Sequence, residues 1–99
     1  MAIYKNIGTT GITTLITKDG DRSGYINKIT ISNNSASNSA IVSVQIWDGT
    51  SVGYNIIGNT TIPAGVTLVL TDNLAFDKTK YNLRMEVTGT SPTLDVIIK

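Results

Sequence analysis

Apolar and polar residues alternate in short stretches along this chain, and turn-forming residues separate the stretches. Around position 44, the aliphatic residues Val42, Val44 and Ile46 share one parity, with polar residues between them. Successive side chains of a strand point to opposite faces of a sheet, so such a set lies on one face. Three later sets repeat the pattern: Val66, Leu68 and Leu70; Leu83, Met85 and Val87; Leu94, Val96 and Ile98. The pattern predicts β-strands that bury one face.

Turn signals divide these strands at the intervals that are typical of a sandwich. Asp48-Gly49 closes one strand, Pro63 and Gly65 form a β-turn, and Gly58 predicts a bulge or a break inside a strand. No segment keeps apolar residues at helical spacing, so no helix is expected. The predicted strands are Ala2–Ile7, Ile12–Lys18, Tyr25–Ser32, Ile41–Trp47, Tyr54–Ile62, Val66–Thr71, Tyr81–Thr88 and Thr93–Lys99. We therefore predict an all-β fold: a single antiparallel β-sandwich, jelly-roll-like, with about seven or eight strands.

Length and composition set the limits of the fold. At 99 residues the chain is expected to form one domain over 1–99, with a modest core. Cysteine is absent, so no disulfide supports it. No stretch has the length of a membrane-spanning helix, and the first six residues lack the apolar core of a signal peptide. We expect no membrane partner and no export by a signal peptide.

The charges make nucleic acid an unexpected partner. The net charge is +1, from 8 basic and 7 acidic residues that are interleaved, and no basic tract occurs. Serine, threonine and asparagine fill about a third of the chain, well above their ordinary share. They leave a neutral surface that forms hydrogen bonds. Such a surface suits packing against other proteins.

The composition also removes most catalytic chemistry. Without histidine and cysteine, the usual nucleophilic sites and zinc sites have no base and no ligands. A pair of carboxylates could in principle hydrolyse a glycoside. Most of the seven acids, however, stand in turns or on polar strand faces. We expect no catalytic residues and no cofactor.

One segment partly matches a calcium-binding loop. Asp19, Asp21 and Ser23 supply oxygen at the first, third and fifth positions, and Gly24 follows at the sixth. Thr30 stands at the twelfth position, where the pattern requires a bidentate glutamate. The flanks are predicted strands, whereas a calcium loop lies between helices. Asp19, Asp21 and Ser23 remain weak metal candidates, and a hairpin turn is the favoured interpretation.

Trp47 is the candidate interface residue. It ends a strand at the parity opposite to Val44 and Ile46, so it lies away from their face. Tryptophan is enriched at interface hot spots, which favours contact with a partner. Packing under a loop of the same chain is the alternative.

Several segments together resemble a diffuse group of small β-sandwich virion proteins of tailed bacteriophages. In that group a strand ending in asparagine precedes a loop of small polar residues, an aliphatic strand, an Ile-Pro-Ala-Gly turn and a leucine-rich strand. The likeness covers most of 24–88. The resembling segments are Lys28–Asn34, Ser43–Gly49, Thr61–Leu70 and Tyr81–Arg84. The resemblance implies a non-enzymatic particle component with no catalytic residues to carry over.

This resemblance sets the functional expectation. We expect a structural protein in the virion, first of all a capsid decoration (cement) protein that binds the major capsid protein. Homo-oligomers are expected, with trimers favoured, because a standard interface takes a large share of so small a surface. A neck or tail accessory protein is the alternative within the particle. The contact surface of the particle protein is expected to include part of the Trp47 strand face or the loops at 33–39 and 51–58. A carbohydrate or host-surface binding module, using the Trp47 face or the loops, is the alternative outside this class.

Overall fold

The computed structural model describes residues 3–16, 25–71, 74–77 and 80–99, and for Tyr25 and Leu74 it describes the backbone alone. These residues form ten antiparallel strands joined by turns and loops, which confirms the all-β prediction. The described part of the chain contains no helix, and so none that could cross a membrane. The strands are β1 (Ile3–Ile7), β2 (Gly11–Ile16), β3 (Tyr25–Ile26), β4 (Ile29–Asn33), β5 (Ala40–Trp47), β6 (Gly53–Ile62), β7 (Thr67–Leu70), β8 (Leu74–Ala75), β9 (Asn82–Gly89) and β10 (Leu94–Ile98).

Eight of the strands form two four-stranded sheets. The first sheet has the order β1-β10-β4-β7 and the second has the order β2-β9-β5-β6. The short strands β3 and β8 pair separately. The chain crosses repeatedly from one sheet to the other, and each sheet combines strands from both ends of the sequence. This order is that of a jelly roll, which confirms the predicted jelly-roll-like sandwich.

The core lies between the two sheets and consists of the aliphatic parity sets. Along most of β4, β5, β9 and β10 every second residue is buried, because these strands are central in their sheets. Ile46, Leu68 and Leu70 are half-buried and pack against this core. The largest fully enclosed members are Ile16, Ile26, Ile29, Ile31, Ile62, Leu83, Met85, Leu94, Ile98, Val42, Val44 and Val87.

Val66 does not join its predicted set. Its side chain is exposed, and β7 begins one residue later, at Thr67. The backbone N–H of Val66 donates to the carbonyl of Pro63 at 3.1 Å, so Val66 still belongs to the turn. The proline-glycine turn was predicted, but its length was underestimated by one residue.

The single strand predicted over Tyr25–Ser32 is two strands. Asn27 and Lys28 interrupt it, and the backbone N–H groups of both donate to the carbonyl of Lys99, at 2.7 and 3.2 Å. The interruption shifts the parity, so Ile26 and Ile29 are both buried although three positions separate them. The preceding strand β3 pairs with β8, in a segment for which no strand was predicted.

The bulge predicted at Gly58 is present and is held by a hydrogen-bonded pair. Val42 pairs with Thr60 and Val44 with Ile57, so two residues of β6 stand opposite Ser43. The second of these, Asn59, has φ of 45°, which asparagine tolerates better than most residues. The backbone N–H of Asn59 donates to Ser43 Oγ at 2.9 Å, and this hydroxyl donates to Asn59 Oδ1 at 3.2 Å.

Candidate interaction surface

The outward face of the β2-β9-β5-β6 sheet carries Trp47 and a row of long polar side chains. On β5 the core-facing residues alternate with Ile41, Ser43, Gln45 and Trp47, so these four share the outward parity. The register places Gln45 beside Arg84 of β9 on one side and Asn55 of β6 on the other. Three strands thus bring polar groups together next to the tryptophan.

Trp47 is half-buried and contacts both neighbouring strands. The guanidinium carbon of Arg84 lies 3.8 Å from the centroid of the indole ring, which is the geometry of a cation–π contact. On β6, a Cβ at Gly53 would lie 3.1 Å from Trp47 Cε3, so the glycine gives the ring its room. Trp47 therefore packs within its own sheet and keeps part of its surface open to a partner.

Hydrogen bonds order the polar row. Arg84 Nε donates to Gln45 Oε1 at 2.8 Å, and Gln45 Nε2 donates to Asn55 Oδ1 at 2.8 Å. The three side chains form one connected chain across β9, β5 and β6. Because each planar group fixes the orientation of the next, the row is ordered before any partner binds.

The hairpin after Trp47 is closed by a carboxylate. Asp48 Oδ1 accepts hydrogen bonds from the backbone N–H groups of Thr50, Ser51 and Val52, at 2.8, 2.9 and 3.1 Å. These bonds, first of all the one from Thr50, hold the pKa of the Asp48 carboxyl below its usual value because they favour the ionised form. The turn is a local structure that ends β5 next to the candidate interface residue.

Exposed apolar side chains extend this face beyond the polar row. Ile12 on β2 is 54% exposed and Ile41 on β5 is 39% exposed. Both have the outward parity, since they stand opposite Glu86 and Thr88 of β9. Isolated exposed aliphatic residues are ordinary on protein surfaces. Here they lie on the same sheet face as Trp47.

The outward face of the other sheet carries an apolar row of its own. The register aligns Tyr4, Ile97, Thr30 and Val69 across all four strands. The two ends of this row are the most open, with Tyr4 71% and Val69 45% exposed. The row presents no charge, so a partner can cover it without desolvating an ion.

A polar row runs beside this apolar row. It contains Asn6, Asp95, Ser32 and Thr67 in register. Asp95 accepts a hydrogen bond from the Asn6 amide at Oδ1, and Asn34 Nδ2 donates to its Oδ2 at 2.6 Å. Ser32 and Thr67 join their hydroxyls at 3.0 Å. The one carboxylate of this row is therefore already engaged by neutral amides.

Neither of the two segments expected to contribute to the contact surface, 33–39 and 51–58, is simply an exposed loop. The residue that begins the first loop, Asn33, is buried and bonds to the protein backbone, so its role is structural. The second segment, 51–58, is a loop only as far as Val52, because β6 begins at Gly53. Most of that segment belongs to a sheet edge.

The metal candidates Asp19, Asp21 and Ser23 lie outside the described residues. Within the ranges that the structure describes, no three histidine, cysteine, aspartate or glutamate residues are grouped as a metal site would require. That calcium is not required stays a prediction.

The partners of Trp47 were not predicted from the sequence. The sequence places Arg84 on the outward face of its strand, because it lies between the apolar residues Leu83 and Met85. Its position beside Trp47 and Gln45, however, depends on the pairing of β9 with β5. The parity of single strands places side chains on a face. The order of the strands, which brings distant segments together, was needed to find the cluster.

Comparison with known proteins gives the fold and no family. No protein-family model matches the chain, and no curated protein sequence matches it. Among solved structures, the protein PirA is similar over 97% of this chain and 90% of its own, with a TM-score of 0.56 and 14% identity. This likeness shows that the sandwich occurs elsewhere at a similar chain length.

Two more distant similarities involve larger chains. A chain in the structure of infectious bursal disease virus, Gx strain, covers 98% of this protein, which spans 28% of that chain, with a TM-score of 0.40 and 7% identity. The CBM22-1–GH10 modules of Clostridium thermocellum xylanase 10B, complexed with xylohexaose, give a TM-score of 0.36 and 14% identity. The similarity extends over 99% of this protein and 23% of that chain.

Proposed function

We propose that this chain is a non-enzymatic structural protein of a tailed-phage particle, and that it decorates the capsid by binding the major capsid protein. The observation that carries the proposal is the nature of the two outward sheet faces. Each face has few charged residues and presents exposed apolar side chains beside ordered hydrogen-bonding groups. Such faces suit broad protein contacts, since they bury apolar area at little electrostatic cost.

Of the two faces, the one that carries Trp47 is proposed to contact the capsid. It combines a half-buried tryptophan with an arginine, and both residue types are enriched among interface hot spots. Side chains that are already ordered lose little conformational entropy on binding. Ile12 and Ile41 add apolar area on the same face.

The proposal includes the absence of catalysis. Histidine and cysteine are missing from the whole sequence, which removes the commonest general bases and nucleophiles. Two of the described carboxylates, those of Asp48 and Asp95, are engaged by neutral hydrogen-bond donors. A homo-oligomer, first of all a trimer at a lattice axis, remains part of this proposal.

The experiment is quantification followed by reconstitution. Purified particles should contain the protein in many copies. Particles that lack it should take up purified wild-type protein, whereas Trp47→Ala should bind more weakly while remaining folded. Tyr4→Ala is the matched control, because it removes an exposed aromatic ring from the opposite face. Absence of the protein from particles, or equal loss of attachment in both variants, would contradict the proposal.

A glycan-binding module is the second candidate, and the polar row favours it. Amide and guanidinium groups ordered beside an aromatic ring are suited to binding sugar hydroxyls. Arg84 counts against this candidate, because it covers part of the ring on which a sugar would stack. Glycan-array binding that Trp47→Ala abolishes, together with absence from particles, would favour this function over decoration.

A further inference from the structure

Three of the four outer edges of the two large sheets carry a feature that hinders the addition of another strand. On β6 the edge is interrupted by the bulge at Asn59, and on β2 by a register shift at Leu15. On β1, Lys5 takes a core-facing position opposite Val96 and remains exposed. Bulges and inward-placed charges are recognised means by which proteins protect sheet edges.

The fourth edge, β7, has neither a bulge nor an inward-placed charge. Its four residues pair with β4 in an unbroken register, and no charged residue occurs from Val66 to Thr71. Four residues is a short strand, but the edge is regular and consists of residues that favour β-structure. Of the four edges, β7 is the one suited to pair with another strand.

The directions of its backbone groups follow from neighbouring hydrogen bonds. The N–H of Asn33 donates to the carbonyl of Val66 at 2.9 Å, on the β7 side of β4. The N–H of the next residue, Asn34, donates to Thr93 at 2.8 Å, on the β10 side. Because these directions alternate along a strand, Leu68 and Leu70 bond to β4. The backbone groups of Thr67, Val69 and Thr71 then point to the open edge.

The sequence of this edge is a palindrome. Residues 67–71 are Thr-Leu-Val-Leu-Thr, centred on Val69. An antiparallel strand related by a two-fold axis at Val69 would place each residue opposite one of its own kind: Val69 on Val69, Leu68 on Leu70 and Thr67 on Thr71. Isologous contacts of a two-fold dimer require such self-complementarity. Aliphatic pairs and threonine pairs are among those that stabilise neighbouring strands.

We propose that two copies of this chain pair through β7, antiparallel and with the two-fold axis at Val69. The two β1-β10-β4-β7 sheets then become one eight-stranded sheet, and the apolar rows that end at Val69 meet at the axis. The contact is much smaller than the roughly 800 Å² per partner of a stable interface. We therefore expect a weak dimer, in the micromolar range or weaker. This inference does not depend on the function proposed above.

A cysteine cross-link tests the register. The chain has no cysteine of its own, so Val69→Cys introduces a single thiol. At the axis the two Cα atoms would lie about 5.5 Å apart, which a disulfide can span. In the matched control Thr71→Cys, the proposed register would place the two thiols four residues apart along the paired strands, a distance of about 13 Å. Oxidation should link Val69→Cys at least ten times faster than Thr71→Cys. Equal rates would overturn the proposal.

Charge reversal tests the contact without a covalent bond. Wild type should shift from monomer to dimer in sedimentation velocity as its concentration rises. Val69→Lys and Val69→Glu should each remain monomeric, and an equimolar mixture should dimerise again, because opposite charges meet at the axis. Ile12→Lys, a control on the other sheet, should dimerise like wild type. A wild-type monomer at every concentration, or an oligomer that persists in Val69→Lys, would overturn the inference, whatever the result of the particle experiment.

Discussion

The side-chain amide of Asn33 donates a hydrogen bond of 2.9 Å to the carbonyl of Ile62, and this bond joins the two sheets of the sandwich. The same Nδ2 donates to Asn38 at 3.0 Å, and Oδ1 accepts from the N–H of Ser35 at 3.1 Å. One buried asparagine thus satisfies backbone groups on β6 and on both arms of its own loop. Buried polar groups are stable when they are satisfied in this way.

We expect Asn33→Ala to destabilise the protein by about 1–3 kcal/mol, because it leaves buried carbonyl groups without a donor. Urea denaturation measures the loss. Asn55→Ala is the matched control, since Asn55 is exposed and its hydrogen bond to Gln45 is at the surface. Similar losses in the two variants would show that the buried bond to Ile62 contributes no more than a surface bond.

The different burial of two leucines predicts that their truncation to alanine lowers the stability of the protein by different amounts. Leu83 on β9 is fully enclosed, whereas Leu68 on β7 is half-buried at a sheet edge. Leu83→Ala should cost about 2–5 kcal/mol in the free energy of unfolding, and Leu68→Ala should cost less, because a smaller cavity forms. Denaturation midpoints of the two variants at a common m value test this order. A larger loss at Leu68 would contradict the described burial.

Much of the fold could be predicted from the sequence because strand parity is a local signal. The alternating aliphatic residues of β5, β9 and β10 are buried as their pattern indicated. They are Val42 and Val44; Leu83, Met85 and Val87; and Leu94, Val96 and Ile98. The break at Asn27 could not be predicted, since it depends on hydrogen bonds to Lys99, at the far end of the sequence. For the same reason the cluster around Trp47 was found only in part.

Calcium is not expected to stabilise the chain. Although Asp19, Asp21 and Ser23 follow the start of a calcium loop, Thr30 occupies the position of the required bidentate acid. Thermal melts in calcium and in chelator should therefore coincide. A chelator that lowers the melting temperature by several degrees would instead indicate a bound ion, since a ligand of the native state raises its stability.

The lowered pKa of Asp48 predicts that the stability of the protein depends on pH. Its pKa is lowered in the folded state, so the stabilisation is fully present above the unfolded value of 3.8 and is lost as the pH falls through the lower folded value. Asp48→Asn should be less stable than wild type at pH 7, because an amide oxygen is a weaker acceptor for three backbone N–H groups. Denaturation midpoints should converge as the pH falls below 3.8 and through the lower folded-state pKa. A constant difference at every pH would contradict this role.

The close approach of Gly53 to Trp47 predicts a response in fluorescence. A methyl group at Gly53 would lie 3.1 Å from Trp47 Cε3, so in Gly53→Ala the ring must move by a few tenths of an ångström. Its contact with Arg84 should weaken with that movement. Because Trp47 is the sole tryptophan, its emission reports the change directly. We expect a shifted emission maximum and a small loss of stability.

Gly58→Ala is the matched control on the same strand. A methyl group there would meet no atom closer than 3.7 Å, from the Asn55 side chain, which is an ordinary contact. Its emission spectrum should equal that of wild type, since Gly58 lies at the bulge and away from the ring. An unchanged spectrum in Gly53→Ala would show that the indole does not rest against Gly53. Equal shifts in both variants would mean that the emission follows the general loosening of β6 rather than the contact between Gly53 and Trp47.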